Sequence, residues 1–518
     1  MGSSGTVRNP IMVCVPLMGN SVEEMMSQMG QAKSQGADLV EIRLDYIQNF
    51  QPLHDLEILL RDKPLPVIIV YRPKWEGGQY EGDEQRRLDA LKLAMELGAD
   101  YIDVELKGAS DLMVNSNLNK HSIGKIIVSC HVGDCTPSKE DLSNLVAKMH
   151  STGADVIKLV THASNITDLA TIFHLLSHCK IPLIAYSTGD RGLISHLLCP
   201  KFGGFLVYGS MRNNSIPGLP TLDSLRQAYK LEYLNANTKV FGLVSNPVGH
   251  SKGPILHNPA FRHTGYNGIY VPMLVDDLKE FFRIYSSPDF AGFSVGIPYK
   301  EAVTGCCDEV HPLAESVGAV NTIIRNPSSG KLVGYNTDCE AAITAIEDAL
   351  GARRGTNDAS FTSPLAGKQF VLAGAGGAGR ALAFGAKSRG ARIIIFDIDY
   401  ERASSLAHSV SGEAQPYEDI VKFCPEKGGI LANATPIGMH PNTDRIPVAE
   451  DTLGVYQLVF DSVYNPRKTR LLKEAEAAGA VVVSGVEMFL RQAVDQFNLF
   501  TDAEAPEEFM REIILEKF

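Results

Sequence analysis

A chain of 518 residues is too long for one hydrophobic core and suggests roughly two to four domains. Its 44% hydrophobic and 21% charged residues are those of an ordinary globular enzyme, and a net charge of −12 argues against nucleic acid or an anionic membrane as a partner. No apolar run approaches the ~20 residues of a membrane helix.

The nine cysteines, an odd number without paired spacing, read as reduced thiols. Cys130, His131 and Cys135 lack the second Cys/His pair of a metal site, so no metal is expected. The start "MGSSGTVRNPIMVCVPLMG" shows neither a signal-peptide core nor an Arg/Ser-rich transit segment.

From residue 11 to about 235, strand-like runs ("IMVCVPL", "LVEIRLD", "PVIIVYR", "YIDVEL", "KIIVSCH", "VIKLVT", "PLIAYST", "FLVYGS") alternate with amphipathic helical segments. Eight such units in about 220 residues predict a (β/α)8 barrel over 1–235. "LEYLNANTKVFGLVSNPVG" restarts a β-α-β series, and "NGIYVPML", "FAGFSVGIP" and the hairpin "VNTIIRNPSSGKLVGYNTD" place a second α/β domain over 236–346. The breaker-rich "GARRGTNDASFTSPLAG" marks the next boundary, before a Rossmann-like domain over 347–484. The closing helices within 485–518 are expected to pack back on the second domain. The fold class is α/β throughout.

Gly374, Gly376 and Gly379, with Gly377 between them, form G-x-G-x-x-G after the strand "KQFVLA" and open a helix, the setting of a pyrophosphate-cradling turn. Asp397 ends the next strand, where a carboxylate can bond both ribose hydroxyls and repel a 2′-phosphate. Asp399 adds a second negative charge, with Ile398 rather than an arginine between them. The expected cofactor is therefore NAD, with NADP disfavoured. Between barrel and Rossmann unit, Lys300 follows an apolar strand and Asp338 opens a helix; such a pair can shuttle a hydroxyl proton while a nicotinamide carries the hydride.

The stretches "GHSKGPILHN", "FSVGIPYKEA", "GAVNTI" and "GYNTDC" together resemble the shikimate dehydrogenase family. Their order after a barrel resembles, over nearly the whole chain, the plant bifunctional dehydroquinate dehydratase/shikimate dehydrogenases. The resemblance implies a site in a cleft, with Lys300 and Asp338 as the catalytic pair. It also implies Ser251, Asn321, Tyr464, Gln492 and Gln496 as substrate contacts. Two positions depart from the family pattern: Gly253 where S-x-S has its second serine, and Gly296 where S-V-T-I-P has threonine. Losing both hydroxyls is expected to widen the pocket around ring carbon C1, which is flat in shikimate and tetrahedral in quinate. The family's Asn-Arg-Thr, which grips a 2′-phosphate, reads Asp397-Ile398-Asp399.

The barrel resembles type I dehydroquinate dehydratase, which works through a lysine Schiff base. This implies Lys158 as the nucleophile, its pKa lowered by burial, and His131 as general acid/base. Glu41, Arg43, Arg72, Glu76 and Ser215 match the family's polar lining. The family's carboxylate-binding arginine is His196 here, and a glutamine is Leu219. A neutral histidine lacks the fixed charge for that grip, so weak or absent dehydratase activity is expected.

The leading expectation is an NAD-dependent quinate dehydrogenase with an impaired barrel. The alternative is the ordinary pair of activities, a dehydratase feeding an NADP-dependent shikimate dehydrogenase; a third makes the barrel a non-catalytic module. Expected partners are small hydroxylated cyclohexane carboxylates (quinate, 3-dehydroquinate, shikimate), with no nucleic acid and no membrane. One chain holds both sites, so a monomer would function; cytoplasm and plastid stroma both stay open.

Overall fold

The computed structural model describes residues 11–114, 124–133, 135–213, 216–249, 251–351 and 362–517. They form two compact units, Met1–Lys239 with Asn267–Asp289, and Val240–Tyr266 with Phe290–Phe518.

In the first unit, eight parallel strands lie side by side in the order β7-β6-β5-β4-β3-β2-β1-β8. They are β1 (Met12–Leu17), β2 (Leu39–Arg43), β3 (Val67–Val70), β4 (Tyr101–Glu105), β5 (Lys125–His131), β6 (Val156–His162), β7 (Leu183–Thr188) and β8 (Leu206–Tyr208). Between β8 and β7, the Phe205 N–H donates to the Leu183 carbonyl at 2.9 Å, so the ring nearly closes. Helices α1 (Val22–Ser34), α2 (Pro52–Arg61), α3 (Glu84–Glu96), α4 (Leu106–Val114), α5 (Lys139–His150), α6 (Leu169–His178) and α7 (Leu193–Leu197) follow the first seven strands. Ser21, Asp83 and Ser138 start α1, α3 and α5 by accepting a backbone N–H three residues on, which gives an otherwise orphaned donor a partner. After β8 the expected helix shrinks to a short helical turn, Ser224–Ala228.

Side chains alternate along each strand, so every second residue points into the barrel. Leu39, Ile127, Val156, Ile184 and Leu206 fill its floor. Two residues further along, Glu41, Ser129, Lys158, Tyr186 and Tyr208 make a polar layer toward the C-terminal ends, where barrels carry their chemistry.

The unit also takes in β10 (Gly268–Leu274) and α9 (Leu278–Ile284), beyond the boundary expected at 235. Arg191 grips Asp276 with two bonds of 2.6 and 2.7 Å, and the Tyr285 hydroxyl donates to the Ile166 carbonyl at 2.5 Å.

The second unit holds two sheets. In one, β9 (Lys239–Ser245) pairs parallel with β11 (Phe290–Val295), which pairs antiparallel with β13 (Thr322–Arg325). The hairpin partner β14 (Leu332–Tyr335) adds the short β12 (Glu309–Val310). The other sheet is parallel, in the order β17-β16-β15-β18-β19-β20. Its strands are β15 (Gln369–Ala373), β16 (Arg392–Asp397), β17 (Glu413–Pro416), β18 (Gly429–Asn433), β19 (Tyr456–Asp461) and β20 (Val481–Ser484). This is the doubly wound order expected of a dinucleotide fold.

The helices of this unit are α8 (Gly253–Thr264), α10 (Pro312–Val317), α11 (Asp338–Ala349), α12 (Gly377–Ser388), α13 (Tyr400–Val410), α14 (Arg470–Ala477), α15 (Gly485–Thr501) and α16 (Glu507–Lys517). Phe370 and Leu372 of β15 bury against α11, α12 and α13, while Val371 and Ala373 face α14. Each large side chain so buried contributes about 1.5–3 kcal/mol. Helix α11, expected in the substrate domain, thus helps build the Rossmann core. Helix α15 returns to the first sheet, where Gln496 bonds Ser294 and Thr322 at 2.8 and 3.0 Å.

Candidate active sites

Glu41 and Arg43 lie two apart on β2, so both point inward. Lys158, 1% exposed on β6, donates to Glu41 Oε2 at 2.7 Å and to Asp103 Oδ2 at 3.0 Å. Burial alone would lower the lysine's pKa, as the sequence suggested. Asp103 and Glu41 outweigh that, and the pKa is raised. The resting lysine is a caged ammonium, which corrects the expectation of a free amine. Burial pulls Glu41 upward, but Lys158, Arg72 and Arg43 prevail and hold it at about 2.

His131, at the end of β5, gives its backbone N–H to Glu76 Oε1 at 2.6 Å, and its Nδ1 lies 3.4 Å from the same oxygen. Burial, reinforced by Arg72, Lys158 and Arg43, drives its pKa well below the ordinary value. The ring is therefore neutral and able to take a proton. Among the described residues, Arg72 Nε, Asp103 Oδ1, Glu105 Oε1, Ser129 Oγ, His131 Nε2 and His196 Nε2 are buried without a hydrogen-bond partner. Six such atoms on one barrel suit a ligand with several hydroxyl and carbonyl oxygens.

Asp45, Asp103 and Tyr208 escaped the sequence reading. Asp45 takes Arg43 Nε and Nη2 at 2.9 and 2.7 Å, and the backbone N–H of Arg72 and Gln79 at 3.4 and 3.0 Å. It thereby fixes both ends of the loop that carries Glu76. The acid was visible in "EIRLD", and Asp103 sits on the inward register of "YIDVEL". The replacement histidine, His196 on α7, packs against Tyr186 with ring centroids 4.6 Å apart, and burial pulls its pKa to about 3. It carries no charge. Leu219 packs against the apolar floor, and Ser215 lies outside the described residues.

In the second unit, Lys300 Nζ donates to Asp338 Oδ2 at 2.5 Å. The Asp338 side chain is 5% exposed and that of Lys300 21%, so both are largely buried and the lysine is the more accessible of the two. Asp338 sits in the first turn of α11, where the helix dipole favours its negative charge. Next to it, Asn321 Nδ2 donates to Thr337 Oγ1 and its Oδ1 accepts the Thr337 N–H, both at 2.9 Å. Thr337 Oγ1 also reaches the Gln492 carbonyl at 3.2 Å, and Tyr464 packs on Phe489 one turn earlier in α15, at 4.9 Å. Asn321 and the Gln492 carbonyl thus meet at Thr337, the residue before Asp338, while Tyr464 is tied to the same helix α15 through Phe489. Gln496 is buried and fully used inside the fold, so it positions this wall.

Ser251 Oγ accepts the N–H of Gly253, which is buried in the first turn of α8. At Gly296 a Cβ would lie 2.7 Å from Ser245 Oγ and 2.9 Å from Ser245 Cβ. Ser245 fills the space that a side chain at 296 would take. The glycine leaves no void there, contrary to the expected widening.

The glycine turn runs from β15 into α12. Gly374 has φ +101°, and a Cβ on Gly379 would sit 2.0 Å from the Gly374 carbonyl oxygen, so both positions require glycine. A Cβ on Gly377 would meet Lys300 Cβ at 2.9 Å, which places the turn directly against the stem of that lysine. Backbone N–H groups at this helix start fit a dinucleotide pyrophosphate. Asp397 Oδ2 accepts the Ala375 N–H at 2.6 Å and Oδ1 the Asp399 N–H at 2.9 Å, while Asp399 caps α13. Arg402, one turn on, pairs with Glu301 and lies 4.0 Å from a Cβ position on Gly376.

A family model for type I 3-dehydroquinase matches residues 13–236. Models for the shikimate dehydrogenase substrate binding domain and the shikimate 5′-dehydrogenase C-terminal domain match 243–323 and 485–515. The chain is 50% identical over 517 residues to the chloroplastic bifunctional 3-dehydroquinate dehydratase/shikimate dehydrogenase of Arabidopsis thaliana, covering 99% of this chain and 86% of that one. This chain belongs to that bifunctional family. Its dehydrogenase half is 39% identical to the shikimate dehydrogenase (NADP(+)) of Methanosarcina acetivorans, over 54% of this chain and 98% of the relative. A solved shikimate dehydrogenase in complex with NADP+ is 34% identical, with a TM-score of 0.49, over 55% of this chain and 97% of that one.

The shikimate dehydrogenases similar to the second half of the chain are named for NADP(+), which overturns the expectation of NAD. The acid misled for a physical reason. Both oxygens of Asp397 are taken by backbone N–H groups that shape the turn, and a cation, Arg402, stands three residues beyond Asp399.

Proposed function

We propose that this chain converts 3-dehydroquinate to 3-dehydroshikimate in its barrel and interconverts 3-dehydroshikimate and shikimate in its second unit, using NADP. The Lys300–Asp338 bond at 2.5 Å, set against the glycine turn at Gly377, carries the oxidoreductase half. Bound NADP supplies hydride transfer. Gly374 to Gly379 would hold its pyrophosphate, and Arg402 its 2′-phosphate. Lys300 and Asp338 hold the reacting hydroxyl and move its proton. Asn321, Gln492 and Tyr464 orient the ring.

In the barrel, Lys158 passes its proton to Glu41 or Asp103 and attacks the ketone carbon; water leaves and an imine forms. His131 Nε2 takes the α-proton and returns it to the departing ring hydroxyl, which leaves as water. Hydrolysis of the imine frees Lys158. Glu76 holds His131 for both transfers.

A slower barrel is the second reading, carried by His196. Arg43 already faces Asp45 and Arg72 already lies 3.9 Å from Glu41, and the buried neutral imidazole of His196 adds no charge. The name of the plant relative supports the plastid as compartment.

Rates for shikimate and quinate with NADP, beside dehydration of 3-dehydroquinate, test the proposal. Shikimate oxidation together with dehydroshikimate release is expected. Faster turnover of quinate would overturn the substrate assignment, and dehydration rescued only by His196→Arg would establish the slow barrel.

A further inference from the structure

One contact inside the barrel has no part in the lyase steps above. Glu41 Oε2 has two donors, Lys158 Nζ at 2.7 Å and the hydroxyl of Tyr208. Tyr208 ends β8, is 2% exposed, and presents its ring to the same lysine, with Nζ 4.7 Å from the centroid. The ammonium therefore sits between two carboxylates and an aromatic face. The titratable and charged groups around it are Cys14 on β1, Glu41 and Arg43 on β2, Arg72 beyond β3, Asp103 on β4, His131 on β5, Tyr186 on β7 and Tyr208 on β8. Of these, Glu41 and Asp103 hydrogen-bond Nζ.

We propose that the Tyr208 hydroxyl is a positioning group for the barrel lysine: it occupies part of Glu41 Oε2 and so loosens that carboxylate's hold on Lys158. The inference rests on reading Lys158 as the Schiff-base amine. An ammonium locked between two carboxylates cannot attack a carbonyl until it gives up a proton. In a low-dielectric interior, a carboxylate oxygen that already accepts one strong hydrogen bond attracts a second donor less. Burial, with Glu41 beside it, keeps the Tyr208 hydroxyl protonated, so it stays a donor. Phenylalanine at 208 would keep the ring and remove only this competition.

Acetaldehyde with cyanoborohydride, applied to the full-length protein between roughly pH 6 and 10, reads the free amine of Lys158 as ethylation located by peptide mass. Tyr208→Phe is expected to move the ethylation profile up by about one pH unit, roughly tenfold less labelling at a given pH. Glu41→Gln is expected to move it down, and melting curves establish that both variants are folded. A Tyr208→Phe profile on or below the native one overturns the inference, and so does a native Lys158 that takes no ethyl group at any pH.

Borohydride trapping with 3-dehydroquinate separates the two ideas. Trapping with an unmoved Tyr208→Phe profile keeps the lyase and removes the role of Tyr208. A shifted profile without any trapped dehydroquinate keeps the role of Tyr208 and removes the lyase.

Discussion

At the scale of single residues, the pair Lys300 and Asp338 should carry most of the proton transfer. Lys300→Ala is expected to lower kcat for shikimate by about 10²–10⁴, with a smaller change in KM, as steady-state kinetics would show. Gly296 makes a second test. Threonine there collides with Ser245 and is expected to lose about 1–3 kcal/mol in chemical denaturation, recovered in part by Ser245→Gly. Resemblance to the two families, more than spacing, singled out Lys158, His131, Lys300 and Asp338 in the sequence, and the structure pairs Lys300 with Asp338 and sets Lys158 between Glu41 and Asp103. The use to which a side chain is put was not legible there. Asp397 reads as a ribose ligand until its oxygens are found on Ala375 and Asp399, and Gly296 reads as an opening until Ser245 is found beside it. Both facts depend on neighbours that no sequence pattern fixes.

Among elements, the loop after β3 depends on Asp45. Asp45→Ala leaves the buried Arg43 guanidinium without its partner and unties the loop bearing Glu76. A stability loss of about 3–5 kcal/mol is expected, with a fall in dehydration while shikimate oxidation is kept. Asp461 plays a comparable part at the end of β19, accepting from Thr469 at 2.6 Å, and from Val463 and Asn433 at 3.0 Å each. Burial outweighs these bonds and raises its pKa from 3.8 to about 6. The folded state thus holds the proton more tightly, a stabilisation present below pH 3.8 and lost as pH rises through about 6. Asp461→Asn is expected to flatten that decline, on the order of 2–3 kcal/mol, in melting curves across the window. Strands and helices were readable from their periodicity and the breaker-rich stretches between them; the shortening of the helix after β8 was not, because the turn at Ser224–Ala228 has a helical composition.

For the whole molecule, each unit buries its own core, so NADP should raise the melting transition of the second unit and leave the barrel's in place, as calorimetry would show. The barrel and the Rossmann sheet were visible in the alternation of strands and helices, whereas the allegiance of residues 267–289 was not. It rests on pairings such as Arg191–Asp276 that join distant stretches. That allegiance has a consequence for synthesis. A ribosome that has finished residue 239 must add 50 more, to 289, before the barrel has Asp276 and Tyr285 to hold. At about 5–20 residues per second, Arg191 and the Ile166 carbonyl wait several seconds for their partners while the first strand of the next unit emerges. A nascent chain stalled at 239 should be cut by protease near these sites, and one stalled beyond 289, with the tunnel cleared, should resist.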